Sequence, residues 1–126
     1  MGKGAYIVAK AIGISLPDVM IGDTIPFTKH GPKEGIEFHS NSLEVKVKGR
    51  YVYNVEVQIV DRSEVTIAVN KKPIDRFHAS GSGNGILELD KHDVVTLINS
   101  GTSVMRFLSS SRNAQNLVQL TLNRIR

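Results

Sequence analysis

Residues Leu43 to Ile59 read LEVKVKGRYVYNVEVQI. Leu43, Val45 and Val47 alternate with Glu44, Lys46 and Lys48; beyond Gly49, Tyr51, Tyr53, Val55, Val57 and Ile59 alternate with mostly polar partners. Successive side chains of an extended chain point to opposite faces, so this period of two predicts two strands, each burying one face against a core. Gly49 reads as the turn between them, since glycine adopts turn dihedrals at no steric cost.

Working outward, the same pattern recurs at short intervals. Strands are predicted at Ala5–Ile12, Thr24–Thr28, Gly35–His39, Leu43–Lys48, Arg50–Val60, Glu64–Asn70, Ile86–Leu89, Val94–Asn99, Val104–Leu108 and Leu117–Ile125. Between them lie turn-forming residues: Leu16-Pro17-Asp18, His30-Gly31-Pro32, Asp61-Arg62-Ser63, Asn70-Lys71-Lys72-Pro73 and the glycine-rich Ser80–Gly85, read as a flexible loop. No segment shows a helical period, and many short strands in a chain this size mean an all-β sandwich or barrel, with a jelly roll among the candidates.

The chain has 126 residues, 40% of them hydrophobic and 22% charged, which reads as one domain spanning residues 1–126 with a flexible N-terminus at residues 1–4. The absence of cysteine excludes disulfides and thiolate metal sites and leaves the compartment open. A formal charge of +4 is mild, and Lys and Arg are scattered rather than concentrated. No nucleic-acid partner is expected. Lys10 and Asp18 interrupt the apolar N-terminal stretch, so no signal peptide is visible there, and no run approaches a membrane span.

Two predicted strands differ from the rest. Ala5–Ile12 offers Ile7 and Ala9 on one face and Tyr6, Val8 and Ile12 on the other; Val94–Ile98 offers Val95 and Leu97 against Val94 and Ile98. A sandwich buries one face of each sheet, so a second apolar face calls for another partner, and a further copy of the chain is the simplest one. At roughly 1.5–3 kcal/mol per buried aliphatic side chain, such a face favours self-association.

The chain resembles the complement-component-1q and tumour-necrosis-factor-like jelly-roll superfamily. That family's central signature is an aromatic, five residues, Gly, any residue, Tyr, any residue, Phe, any residue, aromatic. Here Gly49 and Tyr51 match, with Leu43, Tyr53 and Val55 as apolar substitutes. Leu89-Asp90-Lys91-His92-Asp93-Val94-Val95-Thr96-Leu97 is similar to the family's entry to a later strand, with His92 where glycine is usual. Ala5-Tyr6, Gly22-Asp23-Thr24-Ile25-Pro26-Phe27, Gly35-Ile36, Gly49-Arg50-Tyr51 and Val69-Asn70 before Pro73-Ile74 resemble the C-terminal domains of bacterial collagen-like spore-surface glycoproteins, although no Gly-X-Y stem is present. The resemblance covers roughly residues 4 to 126. It implies a compact homotrimer of ten-stranded jelly rolls with one sheet facing the threefold axis. It also implies spore or cell-surface proteins, or glycans, as further partners.

Strand parity then proposes the trimer interface. With Tyr51, Tyr53, Val55 and Val57 inward, Val52, Asn54, Glu56 and Gln58 face the axis; Val94, Thr96 and Ile98 face a neighbour, as do Leu117, Gln119 and Thr121 of the last strand. The polar members Asn54, Glu56 and Gln119 would need hydrogen-bond partners across that interface.

Signals for chemistry are weak by comparison. His30, His39, His78 and His92 show no short ligand spacing, and no dense acidic loop is present, so no metal site and no cofactor are expected. Ser80–Gly85 lacks the Gly-Lys-Ser/Thr ending of a phosphate cradle, and Ser109–Ser111 has no base tied to it. The expectation is a non-enzymatic trimeric structural or recognition module, binding multivalently through its loops. The rival reading is a monomeric or dimeric small-ligand or carbohydrate-binding jelly roll, which needs titratable residues inside or at the end of the sandwich.

Overall fold

A computed structural model of the chain describes residues 4–12, 18–58, 64–78, 81–105 and 117–126. Among these, ten strands form: β1 (Tyr6–Ile12), β2 (Lys29–His30), β3 (Ile36–His39), β4 (Ser42–Val45), β5 (Gly49–Gln58), β6 (Glu64–Val69), β7 (Lys72–His78), β8 (Ser82–Leu89), β9 (Val94–Asn99) and β10 (Leu117–Arg124). They make two five-stranded sheets, ordered β2-β1-β10-β5-β8 and β3-β4-β9-β6-β7. Every pairing is antiparallel, and the first and last long strands lie side by side, Tyr6 opposite Asn123.

The alternation in the sequence becomes the alternation of burial. In the first sheet Ile7, Ala9, Tyr51, Tyr53, Val55, Val57, Leu87, Val118, Leu120 and Leu122 are buried, and in the second Ile36, Leu43, Val45, Val65, Ile67, Val95 and Leu97. These two inner faces meet as one core. The buried Tyr51 hydroxyl donates to the Val47 carbonyl, so its one polar atom is satisfied inside the sandwich. Burial pushes the Tyr51 phenol above its ordinary pKa. Buried Asn99 ties the irregular segments to the core. Its amide donates to the carbonyls of Val19 (3.0 Å) and Ser103 (3.1 Å) and accepts from the Gly101 N–H (3.0 Å).

The loop reading of Ser80–Gly85 fails over most of its described part: Ser82–Gly85 belongs to β8. Gly83 and Gly85 point inward, where a Cβ would lie 2.7 Å from Phe77 Cδ1 and 2.6 Å from Tyr53 Oη respectively. Glycine is there for space against two rings. The same holds for Gly49, the first residue of β5, where a Cβ would fall 2.6 Å from the Arg126 carbonyl oxygen.

β7 was not expected at all, because Phe77 is its only buried residue and Pro73 occupies it. Proline is tolerated on an edge strand, and a register shift lies opposite it, between Ile67 and Ala68. Thr24–Thr28 is not a strand; it contributes one bridge, Thr24 to Ile98, and the following β2 takes the edge position beside β1. Of Val104–Leu108, Met105 bridges to Val19, while residues 106–108 lie outside the described residues. Residues 1–3 of the expected flexible N-terminus lie outside them too.

The β6–β7 hairpin turns on Asn70 and Lys71, with φ of 51° and 70°, between the paired Val69 and Lys72. A two-residue turn with both φ positive is type I′, where Asn-Gly is preferred. Lys71 carries a Cβ in the left-handed region, so Lys71→Gly is expected to raise stability by about 1 kcal/mol. A thermal melt should move up by about 3–5 °C, and an unchanged or lower midpoint would contradict the turn geometry.

Candidate functional site

Ladder register places the outward side chains at the middle of the first sheet in three rows of four. Tyr6, Asn123, Val52 and Ile86 form the first, running β1-β10-β5-β8. Val8, Thr121, Asn54 and Asn84 form the second, and Lys10, Gln119, Glu56 and Ser82 the third. Of these three rows the first is the most apolar. Tyr6 and Ile86 are 41% and 61% exposed, high for such residues in the chain alone. Across the polar rows lies a shallow concavity of about 470 Å³, lined by Asn54, Glu56, Ser82, Asn84, Gln119 and Thr121 among others.

The second sheet presents a different outward surface. Val94, Thr96 and Ile98 of β9 are half-buried and, with Gly22, Thr24, Asn70 and Lys71, line a groove of about 640 Å³. The residues predicted for one interface are thus divided between opposite sides of the sandwich. Val52, Asn54, Glu56 and Gln119 stand on the outward face of the first sheet; Val94, Thr96 and Ile98 stand on the outward face of the second. Leu117 is the first residue of β10 and pairs with Gln58 and Ile12. Parity was readable from the sequence, but sheet membership follows from long-range pairing that alternation does not encode.

A side-chain cluster that no sequence spacing announced lies at the β3–β4 edge of the second sheet. Glu37 and Glu44 are directly opposite one another, and both point outward beside His39 and Lys46. His39 Nε2 stands 3.5 Å from Glu44 Oε1 and 3.9 Å from Glu37 Oε2. The Lys46 ammonium bridges the two carboxylates, 3.0 Å from Glu44 and 3.3 Å from Glu37. His92 Nδ1 reaches the other Glu44 oxygen at 3.0 Å, and since a carboxylate only accepts, the imidazole donates. His92 holds φ of 76°, the left-handed conformation that a glycine would adopt without strain, so the turn keeps its geometry with histidine in place. Its backbone N–H donates to the Val45 carbonyl, which seats it over β4.

These contacts, the His92 hydrogen bond first and Lys46 next, hold the Glu44 carboxyl down at about 2. A depressed carboxylate stabilises the fold above its unfolded value and loses that contribution as pH falls through the folded one. Glu44 should therefore contribute to acid destabilisation between about 4.5 and about 2, modestly because the cluster faces solvent. In melts across this window, Glu44→Gln should show a shallower loss of midpoint than the wild type. Parallel curves would exclude the linkage.

Two antiparallel five-stranded sheets with their first and last long strands adjacent define a jelly-roll β-sandwich. Solved structures with this fold include the globular domain of zebrafish complement 1qA, matched at TM-score 0.70 with 12% identity over 98% of this chain and 97% of that one. Murine APRIL at pH 8.5 matches at 0.66 with 13% identity over 98% and 100%, and rabbit GITRL at 0.58 with 19% identity over 95% and 94%. At these identities the likeness is one of fold. No family model matches the chain, and no curated protein matches it in sequence.

Proposed function

We propose that the protein is a non-enzymatic recognition or structural module that acts as a homotrimer, with the outward face of the first sheet packed around the threefold axis. The observation that carries this reading is the row Tyr6–Asn123–Val52–Ile86, which leaves a tyrosine and an isoleucine exposed on an otherwise regular sheet. A second copy covers such a patch at the least cost, and the resemblance to complement-1q and tumour-necrosis-factor domains implies a trimer with one sheet facing the axis. The polar rows then need partners across the interface: Asn54, Asn84, Glu56 and Gln119 carry enough donors and acceptors to satisfy one another between protomers.

In such an assembly three identical loop sets sit at one end. Repeated ligands would be held by raised effective concentration rather than by one tight site. A bacterial spore or cell surface, with its proteins and glycans, is the setting that the sequence resemblance favours. The rival reading, a ligand site inside the sandwich, needs titratable side chains directed inward. Among the described residues the buried polar side chains are Thr66 and Asn99 and the phenols Tyr51 and Tyr53, each used in packing or local hydrogen bonds.

Hydroxyl-radical footprinting tests the interface. Tyr6 and Ile86, 41% and 61% exposed in one chain, should be protected, while Met20 and Ile74, 54% and 47% exposed elsewhere, should be labelled. Equal labelling of all four would mean the first sheet's face is free.

A further inference from the structure

We propose that the outward face of the second sheet binds one divalent transition-metal ion, with Glu37, His39 and Glu44 as its ligands. One ligand atom from each of the three lies within 4.8 Å of the others. Bonds of about 2.0–2.2 Å to a tetrahedral ion place ligand atoms about 3.3–3.6 Å apart. The present separations are 3.5 Å and 3.9 Å from His39 Nε2 to the two carboxylates, with every pair within 4.8 Å, so side-chain adjustments of about an ångström close the site. The scaffold is a sheet: Glu37 and Glu44 are a cross-strand pair, and His39 follows Glu37 by two residues on the same face. No loop has to close.

Two carboxylates directly opposed across strands repel unless a cation lies between them. Here the Lys46 ammonium supplies one, 3.0 Å from Glu44 Oε2 and 3.3 Å from Glu37 Oε2. It supplies one positive charge against the two carboxylates. A divalent ion between His39 Nε2, Glu44 Oε1 and Glu37 Oε2 satisfies both carboxylates and the imidazole, and Lys46, on a flexible and partly exposed stem, turns into solvent. His92 orients the ligand set from outside. Its hydrogen bond of 3.0 Å to Glu44 Oε2 leaves Oε1 directed at His39, the arrangement by which outer groups fix a ligating carboxylate. An imidazole with two carboxylates suits zinc or copper and disfavours calcium and magnesium, which take all-oxygen shells. The fourth position is left to water or to a ligand. Because the site lies on the sheet opposite the proposed trimer face, it does not depend on the trimer reading.

Calorimetric titration of the metal-stripped full chain with zinc chloride tests this, with calcium chloride in parallel. One zinc per chain is expected, and calcium binding at least 100-fold weaker. His39→Ala and Glu44→Gln should each weaken zinc binding tenfold or more, whereas His30→Ala, an exposed imidazole on β2, should leave it unchanged. Lys46→Ala should tighten binding several-fold, a gain that misfolding cannot mimic. Equal losses from His30→Ala and His39→Ala, no tightening from Lys46→Ala, or comparable calcium affinity would each overturn the site.

Discussion

Gly85→Val should destabilise the protein by about 3 kcal/mol, lowering the melting midpoint by about 10 °C. Gly85 lies in β8 opposite Tyr53 of β5, and a Cβ there meets three atoms of the Tyr53 side chain at 2.6–2.7 Å. That ring cannot simply swing away. Its hydroxyl donates to Asp75 Oδ2 at 3.2 Å, and its edge packs against Phe77, ring centres 6.4 Å apart at 72°. Phe77 belongs to β7 and Tyr53 to β5, so the pair closes the sandwich where the edge strands β7 and β8 of the two sheets lie close. The loop reading of Ser80–Gly85 predicts a change within about 0.5 kcal/mol. Pairing Gly85→Val with Tyr53→Leu should recover part of the loss, and a double-mutant cycle by denaturant unfolding would measure it. Strict additivity would mean that the ring and the glycine do not meet.

Val52→Asp should dissociate the proposed trimer. Val52 is half-buried in a single chain and stands in the row Tyr6–Asn123–Val52–Ile86. In a trimer the substitution places three carboxylates around one axis with no cation among the outward residues of that row. An uncompensated buried charge costs roughly 3–5 kcal/mol, incurred three times per trimer, and each 1.4 kcal/mol is about tenfold in the equilibrium. Ile98→Asp is the matched control. The sequence places Ile98 in the interface by parity, but the structure puts it on the outward face of the other sheet, bridged to Thr24. It should leave the mass unchanged. Dissociation by Ile98→Asp with Val52→Asp still assembled would move the interface to the second sheet.

Which features were legible in the sequence follows from what a side chain can signal. β5 shows itself because Tyr51, Tyr53, Val55 and Val57 alternate with polar residues, and all four are buried. β10 shows itself in the same way through Val118, Leu120 and Leu122. β8 is half-hidden because its inward positions Gly83 and Gly85 have no side chain to alternate. β7 is hidden because an edge strand buries one residue and tolerates a proline. Gly49 was recognised as necessary for the wrong reason, turn dihedrals rather than the close approach of Arg126.

The side-chain clusters lie further out of reach. His92 and Glu44 are 48 residues apart in the chain and meet only because the turn before β9 is hydrogen-bonded to β4. The outward rows of the first sheet likewise join strands from both ends of the chain. Parity predicts which side chains face out, but only the pairing of β10 with β1 and β5 decides which of them share a surface.

The measurement that bears most directly on the trimer is sedimentation equilibrium of the purified chain over a dilution series. A single species near three times 13.8 kDa at every dilution is the predicted result. A species at 13.8 kDa throughout would contradict it, leaving the apolar row of the first sheet without the partner proposed for it.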